Sequence, residues 1–187
     1  SSQSQQHLKP SANSLRGPLS LQRIRGELPD RELEAGARAH YEDPAFYGTT
    51  YKGRVADIAY YVDLAKQYAA GKAVLEIGIG SGGIAVSVAR HGIRVEGIDA
   101  SKEMLGAFEQ RLLAEPPEVR KRIRLHRGDM RTTTIGKKFP LVVCTFNTAL
   151  HLFTRPDVEA FLGCVREHLT PNGRFVVDLS TPQPYDL

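Results

Sequence analysis

The chain is poor in cysteine and has no long apolar run, and both absences restrict the class of protein. Its 187 residues include two cysteines, Cys144 in an apolar, strand-like run and Cys164 in a helical one. Their spacing matches no disulfide scaffold or zinc motif, so we expect buried free thiols, a reducing compartment and no bound metal. No apolar stretch is long enough for a membrane span, and the N-terminal residues lack the apolar core of a signal peptide. These features favour a cytoplasmic protein.

The chain also carries little net charge. A formal charge of +4, with 41% apolar and 25% charged residues, is ordinary for a globular domain and weak for a nucleic-acid-binding protein. Basic residues do cluster between positions 120 and 138, but without interleaved aromatic residues on which bases could stack. We therefore expect a solvated surface rather than a nucleic-acid site. The cluster comprises Arg120, Lys121, Arg122, Arg124, Arg127, Arg131, Lys137 and Lys138.

The N-terminal residues differ in composition from the rest of the chain. Residues 1–30 are rich in serine and glutamine and contain scattered prolines, which predicts a flexible tail. Residues 31–187 then form one domain, because this length is sufficient for a single hydrophobic core. Within it, residues 31–41 favour a short helix. Apolar residues at helical spacing predict a second helix from residue 55 to about residue 69, ended by Gly71.

The stretch AVLEIGIGSG, residues 73–82, has the pattern of a buried strand that runs into a glycine turn before a helix. Glycine adopts positive φ and has no Cβ to hold a ligand away from the backbone. A long, flat ligand is therefore expected to lie against this loop.

Four further segments favour strands, and helical patterns separate them without hairpin-length loops. This alternation predicts a doubly wound, mainly parallel α/β sheet. Ligands bind such sheets at the carboxyl ends of the strands, near the point where the strand order reverses, and the glycine loop is expected there. The predicted strands span residues 73–77, 93–98, 122–126, 141–146 and 175–179; two of the helices run from a Ser101 cap to Leu113 and from Asp157 to Leu169, the latter ended by Pro171, Asn172 and Gly173.

The glycines permit two classes of ligand. Gly78, Gly80 and Gly83 fit the dinucleotide pattern G-x-G-x-x-G, with Asp99 downstream as a ribose acceptor, so an NAD-dependent oxidoreductase is one alternative. However, Glu76 precedes the first glycine by two residues, and about seventy residues precede a strand at which many dinucleotide folds begin. Both details disfavour the dinucleotide.

Five segments in order, VLEIGIGSG, GIDAS, GDM, VVCTFNT and LTPNGRFVVDL, resemble the class I S-adenosylmethionine-dependent methyltransferases of the small-molecule group. The resemblance extends over about residues 41–182. It implies a Rossmann-like fold and a methyl transfer from S-adenosylmethionine, which becomes S-adenosylhomocysteine, to a nitrogen or oxygen of a small-molecule metabolite. A complete domain of this family continues with a helix and two more strands, so the resemblance also implies that the last two family strands are missing. A non-catalytic module that keeps the fold is the alternative.

The resemblance assigns roles on the methionine side of the cofactor. Phe146 and Asn147 would lie beside the sulfonium and the methionine. Tyr51 and Arg54, in YGTTYKGR, would reach over the cofactor, and Arg54 could bind the methionine carboxylate bidentately unless it is simply solvated surface. The floor under the methionine would be formed by Glu76, Gly78, Gly80 and Gly82.

On the nucleoside side, the resemblance implies that Asp99 accepts hydrogen bonds from the ribose hydroxyls and that Asp129 accepts one from the adenine amino group. Carboxylates suit these neutral donors. Ala100 and Met104 would pack near the adenine, and Met130 would flank it. Alternatively, Asp99 and Asp129 are only helix caps or turn residues.

Methyl transfer from a sulfonium needs no proton on the leaving group, so alignment and exclusion of water supply much of the acceleration. His151, just after the fourth strand, is placed to accept the proton of an amine or hydroxyl, although a structural histidine is the alternative. The chain lacks the (D/N)-P-P-(Y/F) segment of adenine and glutamine-amide methyltransferases and the paired glutamates of the arginine type. The sequence therefore does not identify the molecule that accepts the methyl group.

The fifth predicted strand is apolar and would form a sheet edge. Such edges are seldom left bare, so either more residues complete the sheet or the edge pairs with a second copy in a homodimer. The apolar residues concerned are Phe175, Val176, Val177 and Leu179.

Overall fold

The computed structural model of the protein describes residues 55–180. The predicted tail, the helix over residues 31–41 and the candidates Tyr51 and Arg54 lie outside the described residues. Within them the secondary structure alternates between helices and strands, as the sequence predicts. The elements are α1 (Val55–Tyr68), β1 (Ala73–Ile77), α2 (Gly83–Arg90), β2 (Arg94–Asp99), α3 (Lys102–Leu112), α4 (Pro117–Arg120), β3 (Ile123–Arg127), β4 (Phe139–Cys144), a 3-10 helix (Thr148–His151), α5 (Arg155–His168) and β5 (Leu169–Val177).

The five strands form one parallel sheet in the order β3-β2-β1-β4-β5. The prediction of a doubly wound parallel α/β sheet is therefore confirmed. The chain builds outward from β1 through β2 to β3 on one side, and then returns to place β4 against the other side of β1. This reversal puts the glycine loop, which follows β1, at the switch point where such sheets bind ligands.

Helices cover both faces of the sheet. Along β1, Val74 packs into one apolar cluster with residues of α1, α2 and α3, whereas Leu75 and Ile77 pack into a second with residues of α5. Successive side chains of a strand point to opposite faces, so the two clusters lie on opposite sides of the sheet. This double cover explains why β1 and β4 are nearly continuous apolar runs.

Three elements have boundaries that differ from the sequence prediction by two residues or more. β4 ends at Cys144, not at residue 146, because Phe146 and Asn147 adopt φ of 54° and 64° and turn the chain out of the strand. α5 begins at Arg155 rather than at Asp157, since the Thr154 side chain caps it by accepting a hydrogen bond from the Asp157 N–H.

The third difference concerns β5, which begins at Leu169 directly after α5, not at residue 175, and ends at Val177, before Leu179. Phe139 of β4 is opposite Leu169 and Leu141 is opposite Arg174, so residues 170–173 form an irregularity in the pairing. The Pro-Asn-Gly segment that predicted a turn between helix and strand therefore lies within β5. The short helix α4 was also not predicted.

Several local predictions are confirmed. The Ser101 hydroxyl caps α3 by accepting from the Met104 N–H at 3.1 Å. α1 ends at Tyr68, and Gly71 has a positive φ. Both cysteines are buried free thiols, and burial raises the pKa of the Cys144 thiol to about 12. In the part of the chain that the structure describes, no helix is both long and apolar enough to cross a bilayer.

Candidate functional site

The glycine loop after β1 is fastened to the end of β2. The backbone N–H groups of Gly78 and Ile79 both donate to the carbonyl oxygen of Ile98, at 2.8 and 3.1 Å. The loop therefore leaves the sheet along the carboxyl end of β2 before the chain enters α2 at Gly83.

Left-handed backbone conformations shape this loop. Gly78, Gly80 and Gly82 have φ of 75°, 52° and 75°, a region that side chains with a Cβ rarely occupy. A Cβ on Gly78 would overlap the side chain of Thr148, and one on Gly82 would overlap the ring of Phe108. Glycine is thus required at both positions by backbone conformation and by close packing. The loop therefore packs closely against the neighbouring side chains at the switch point.

Asp99, the last residue of β2, lies against the same loop. One carboxylate oxygen, Oδ2, accepts from the Gly80 N–H at 2.8 Å, and Oδ1 accepts from the Ser101 N–H at 2.9 Å. Burial raises the pKa of the Asp99 carboxyl, while these backbone N–H groups oppose the rise. Asp99 therefore has the structural role that the sequence left as an alternative, and its ribose contact stays a prediction.

Glu76 is the most unusual group of the site. It lies on β1 with only 2% of its surface exposed, and Oε1 accepts from the Thr145 hydroxyl at 3.4 Å. Among residues 55–180, Oε2 has no hydrogen-bond partner. Burial and the nearby Asp99 charge raise the pKa of the Glu76 carboxyl to about 8. A buried carboxylate oxygen without a partner is costly, so this position fits a ligand that brings a cationic or hydrogen-bonding group.

Asp129 lies just beyond β3 and forms an ion pair with Arg131. Guanidinium atoms Nε and Nη2 donate to Oδ1 at 2.9 Å and to Oδ2 at 2.6 Å, and the Arg131 backbone N–H also donates to Oδ1. A third guanidinium nitrogen, Nη1, reaches Asp157 of α5 at 2.7 Å. Arg131, which the sequence analysis assigns to a solvated basic run, is therefore ion-paired with two carboxylates and 33% exposed. The reason is that tertiary structure brings Asp157 beside it.

The turn after β4 is held by a network that the sequence analysis did not identify. Asp178 accepts from the Asn147 N–H at Oδ1, at 3.1 Å, and from the Tyr61 hydroxyl at Oδ2, at 2.7 Å. In turn, the side-chain Oδ1 of Asn147 accepts from the Ser180 N–H at 2.6 Å. Phe146 and Asn147 are non-glycine residues with positive φ, which needs support of this kind. A carboxylate directly after β5, in VVDL, was the available sequence signal.

The other candidates differ in how much surface they expose. Ala100, which precedes the Ser101 cap of α3, is exposed, whereas Met104 on α3 is fully buried. Met130 is partly buried against the apolar cluster that α5 covers. His151 is the last residue of the 3-10 helix. Thr148, the first residue of this helix, lies beside Gly78.

The sheet and its glycine loop define the class of protein. The parallel sheet is a Rossmann-like α/β domain, and its left-handed glycines, bonded to the partly buried Asp99 at the end of β2, lie at the switch point where such sheets bind ligands. Comparison with known proteins identifies the family. Residues 74–173 match the family described as "Methyltransferase domain". The chain therefore belongs to the methyltransferase domain family.

Individual relatives agree with this assignment. The chain is 31% identical over 131 residues to dTDP-3-amino-3,6-dideoxy-alpha-D-glucopyranose N,N-dimethyltransferase of Streptomyces fradiae, covering 70% of this chain and 48% of the relative. It is 30% identical over 131 residues to dTDP-3-amino-3,4,6-trideoxy-alpha-D-glucopyranose N,N-dimethyltransferase of Streptomyces venezuelae, covering 70% and 51%. The chain thus spans about half the length of these curated relatives.

A solved structure also resembles the described fold. The glycopeptide N-methyltransferase MtfA, complexed with S-adenosyl-L-methionine, superposes with a TM-score of 0.58 and 29% identity. The match covers 64% of this chain and 53% of MtfA.

Proposed function

We propose that this chain is the cofactor-binding part of an S-adenosylmethionine-dependent methyltransferase acting on a nitrogen or oxygen of a small-molecule metabolite. The observation that carries the proposal is the buried Glu76 carboxylate beside the glycine loop, with Oε2 unpartnered within residues 55–180. S-adenosylmethionine carries an ammonium and a sulfonium, and a cation at this position would favour the ionised form of Glu76, which burial otherwise disfavours. A dinucleotide pyrophosphate would add negative charge beside Glu76 and Asp99.

The residues present fit the parts of this cofactor. The loop from Gly78 to Gly82 would support the methionine, Asp99 the ribose hydroxyls, and Asp129 the adenine amino group. The adenine would lie among Ala100, Met104 and Met130, and the remaining methionine contacts would come from Tyr51, Arg54, Phe146 and Asn147. When bound, the cofactor would supply an electrophilic methyl group on its sulfonium, and the thioether that leaves, S-adenosylhomocysteine, needs no proton.

The acceptor is proposed to be a nitrogen or oxygen nucleophile. The curated relatives are N,N-dimethyltransferases of amino sugars, and MtfA is a glycopeptide N-methyltransferase. In this chain His151 would accept the proton that such a nucleophile releases. Its place at the end of the 3-10 helix, beside the loop after β4, supports this role. We place the protein in the cytoplasm because both cysteines are free thiols, which suit a reducing compartment.

Calorimetry of the full chain with S-adenosylhomocysteine, S-adenosylmethionine and NAD tests the proposal. We expect both sulfur compounds to bind and NAD not to bind. Asp99→Ala should weaken S-adenosylhomocysteine binding by at least about fivefold, which corresponds to the loss of about 1 kcal/mol of hydrogen bonding. Asp63→Ala, on an exposed position of α1, is the matched control and should bind as the wild type does.

The results distinguish a methyltransferase from an oxidoreductase and from a non-catalytic module. Binding of NAD without either sulfur compound would contradict the proposal and favour an oxidoreductase. Unchanged affinity in Asp99→Ala would remove Asp99 from the site while leaving the cofactor in place. Turnover against a panel of amines and alcohols then separates the enzyme from a non-catalytic module.

A further inference from the structure

The contacts of Arg131 connect the predicted adenine site to helix α5. Its guanidinium meets the Asp129 carboxylate side-on: Nε lies 2.9 Å from Oδ1 and 3.2 Å from Oδ2, and Nη2 lies 2.6 Å from Oδ2. The Arg131 backbone N–H donates to Oδ1 at 2.8 Å. A bidentate pair of this kind determines the plane of the carboxylate as well as its position.

A second anchor holds the guanidinium itself. Nη1 donates to Asp157 Oδ1 at 2.7 Å, and the other oxygen of Asp157 accepts from the Thr154 hydroxyl at 2.7 Å. The Asp157 N–H donates back to that hydroxyl at 3.3 Å, within the N-cap of α5. Arg131 is therefore fixed between a loop after β3 and the first turn of a 14-residue helix. It cannot turn away from Asp129 without breaking contacts at both ends.

The Asp129 side chain nevertheless remains accessible, with 39% of its surface exposed, while that of Arg131 is 33% exposed. An exposed aspartate without such a partner would sample several rotamers, and a ligand would have to immobilise it on binding. The ion pair removes this freedom in advance, and such preorganisation is a general source of affinity and selectivity.

An oriented carboxylate discriminates between two closely related bases. Adenine presents an amino group that donates to a carboxylate, whereas hypoxanthine presents at the same ring position an oxygen that only accepts. Two acceptors facing each other repel, the hypoxanthine oxygen finds no donor on the carboxylate, and the carboxylate cannot turn away while Arg131 holds it.

We propose that Arg131 is a positioning residue that makes the site selective for the amino-purine form of the nucleoside over its deaminated form, by holding the Asp129 carboxylate towards the base. The inference rests on the proposed function, because it assumes that Asp129 faces the adenine. It adds that selectivity depends on a residue that need not touch the ligand, and on its second anchor at Asp157.

The test compares the dissociation constants of S-adenosylhomocysteine and its deaminated analogue, S-inosylhomocysteine, by calorimetry on the full chain. We expect the wild type to prefer the adenine compound by at least about tenfold, the range of one hydrogen bond to a charged group. Arg131→Gln should lower this preference at least about fivefold, chiefly by binding the deaminated compound relatively better. Asp157→Asn, which keeps the Asp129 pair but weakens the second anchor, should lower it by less.

Arg155→Gln is the matched control, because Arg155 is an exposed arginine of α5 that pairs with Glu159. Its preference should equal that of the wild type. If Arg131→Gln does not fold, as judged by its melting transition, Arg131→Lys replaces it: lysine keeps the charge but cannot form the bidentate fork, so the preference should still fall.

Three outcomes would overturn the inference. A preference unchanged in the Arg131 variant, together with one lost in Asp129→Asn, would show that Asp129 is selective without Arg131. Unchanged preference in Asp129→Asn would show that Asp129 does not face the base, although the cofactor still binds. An equal fall in Arg155→Gln would show a general effect of lost charge. Absence of S-adenosylhomocysteine binding to the wild type would instead contradict the proposed function.

Discussion

At the scale of single residues, Glu76 links the candidate site to the stability of the folded chain. Burial and the Asp99 charge penalise the ionised form of its carboxyl and raise its pKa from the ordinary 4.5 to about 8 in the folded chain. The folded chain therefore binds a proton that the unfolded chain releases between these two values. Stability that depends on this proton is fully present below pH 4.5 and is lost as the pH rises towards 8.

We predict that the Glu76 contribution lowers the free energy of unfolding as the pH rises from 5 to 8, with a slope approaching about 1.4 kcal/mol per pH unit. Glu76→Gln has no such proton to lose, so its unfolding free energy should depend less steeply on pH, as measured by urea titration at each pH. Glu109→Gln, at an exposed position of α3, should keep the wild-type slope. Equal slopes in wild type and Glu76→Gln would contradict the assigned titration.

The identity of the candidate site residues could be inferred from sequence motifs, but their burial, hydrogen-bond partners and pKa values could not. The resemblance to the methyltransferases predicts Glu76 and Asp99 as site residues, on the motifs VLEIGIGSG and GIDAS. Thr145, 69 positions away, supplies only one donor to the Glu76 carboxyl, and Oε1 accepts it, so Oε2 has no partner among the described residues. The burial that shifts its pKa comes from strands and helices packed around it, which no local pattern describes.

At the scale of elements, the junction between the glycine loop and α2 depends on one glycine and not on its neighbour. Gly82 has φ of 75°, and a Cβ there would overlap the ring of Phe108 on α3. Gly83, the first residue of α2, is helical, and a Cβ there meets nothing within 4 Å among the described residues. The two adjacent positions therefore form a matched pair.

We predict that Gly82→Ala lowers the free energy of unfolding by about 2–4 kcal/mol, the sum of a left-handed backbone penalty and overpacking against Phe108. Gly83→Ala should change it by less than about 1 kcal/mol and towards greater stability, because alanine favours the helix. Urea unfolding of both variants at one pH provides the measurement. A change in Gly82→Ala as small as that expected for Gly83→Ala would show that the loop tolerates a side chain at Gly82.

Element boundaries were predictable where a local signal determines them. Ser101 starts α3 because its own hydroxyl caps the helix, and this prediction is confirmed. The boundary between α5 and β5 was predicted wrongly because Pro171, Asn172 and Gly173 carry a strong turn signal. In the fold, Leu169 already pairs with Phe139 of β4, so these three residues form an irregularity inside β5 and not a turn before it.

At the scale of the whole molecule, β5 forms an edge of the sheet. Among residues 55–180 it pairs with β4 alone, and Val177 near its end is 38% exposed. Unpaired backbone groups along an apolar strand favour pairing with another strand, from a second copy or from further chain. A homodimer through this edge, which the sequence analysis gives beside completion of the sheet by further residues, stays a prediction.

We predict that the apparent mass of the chain in light scattering rises towards that of a dimer with increasing concentration. Val177→Lys should keep it monomeric, because lysine on a sheet edge opposes edge-to-edge pairing. Val158→Lys, on α5 with the same 38% exposure, is the control and should dimerise as the wild type does. A monomeric wild type at all concentrations would contradict the homodimer.

By itself, the sequence determined the alternation of strands and helices, the parallel sheet and the place of the glycine loop. Periodicity, capping and glycine turns are local properties, and βαβ connectivity then restricts the topology. Tertiary structure alone decided which polar groups meet. Arg131 reaches Asp157 across 26 positions, and Tyr61 reaches Asp178 across 117. These partners depend on the strand order, in which β4 returns beside β1 and β5 lies beside β4, because that order brings distant segments of the chain to the same edge of the sheet.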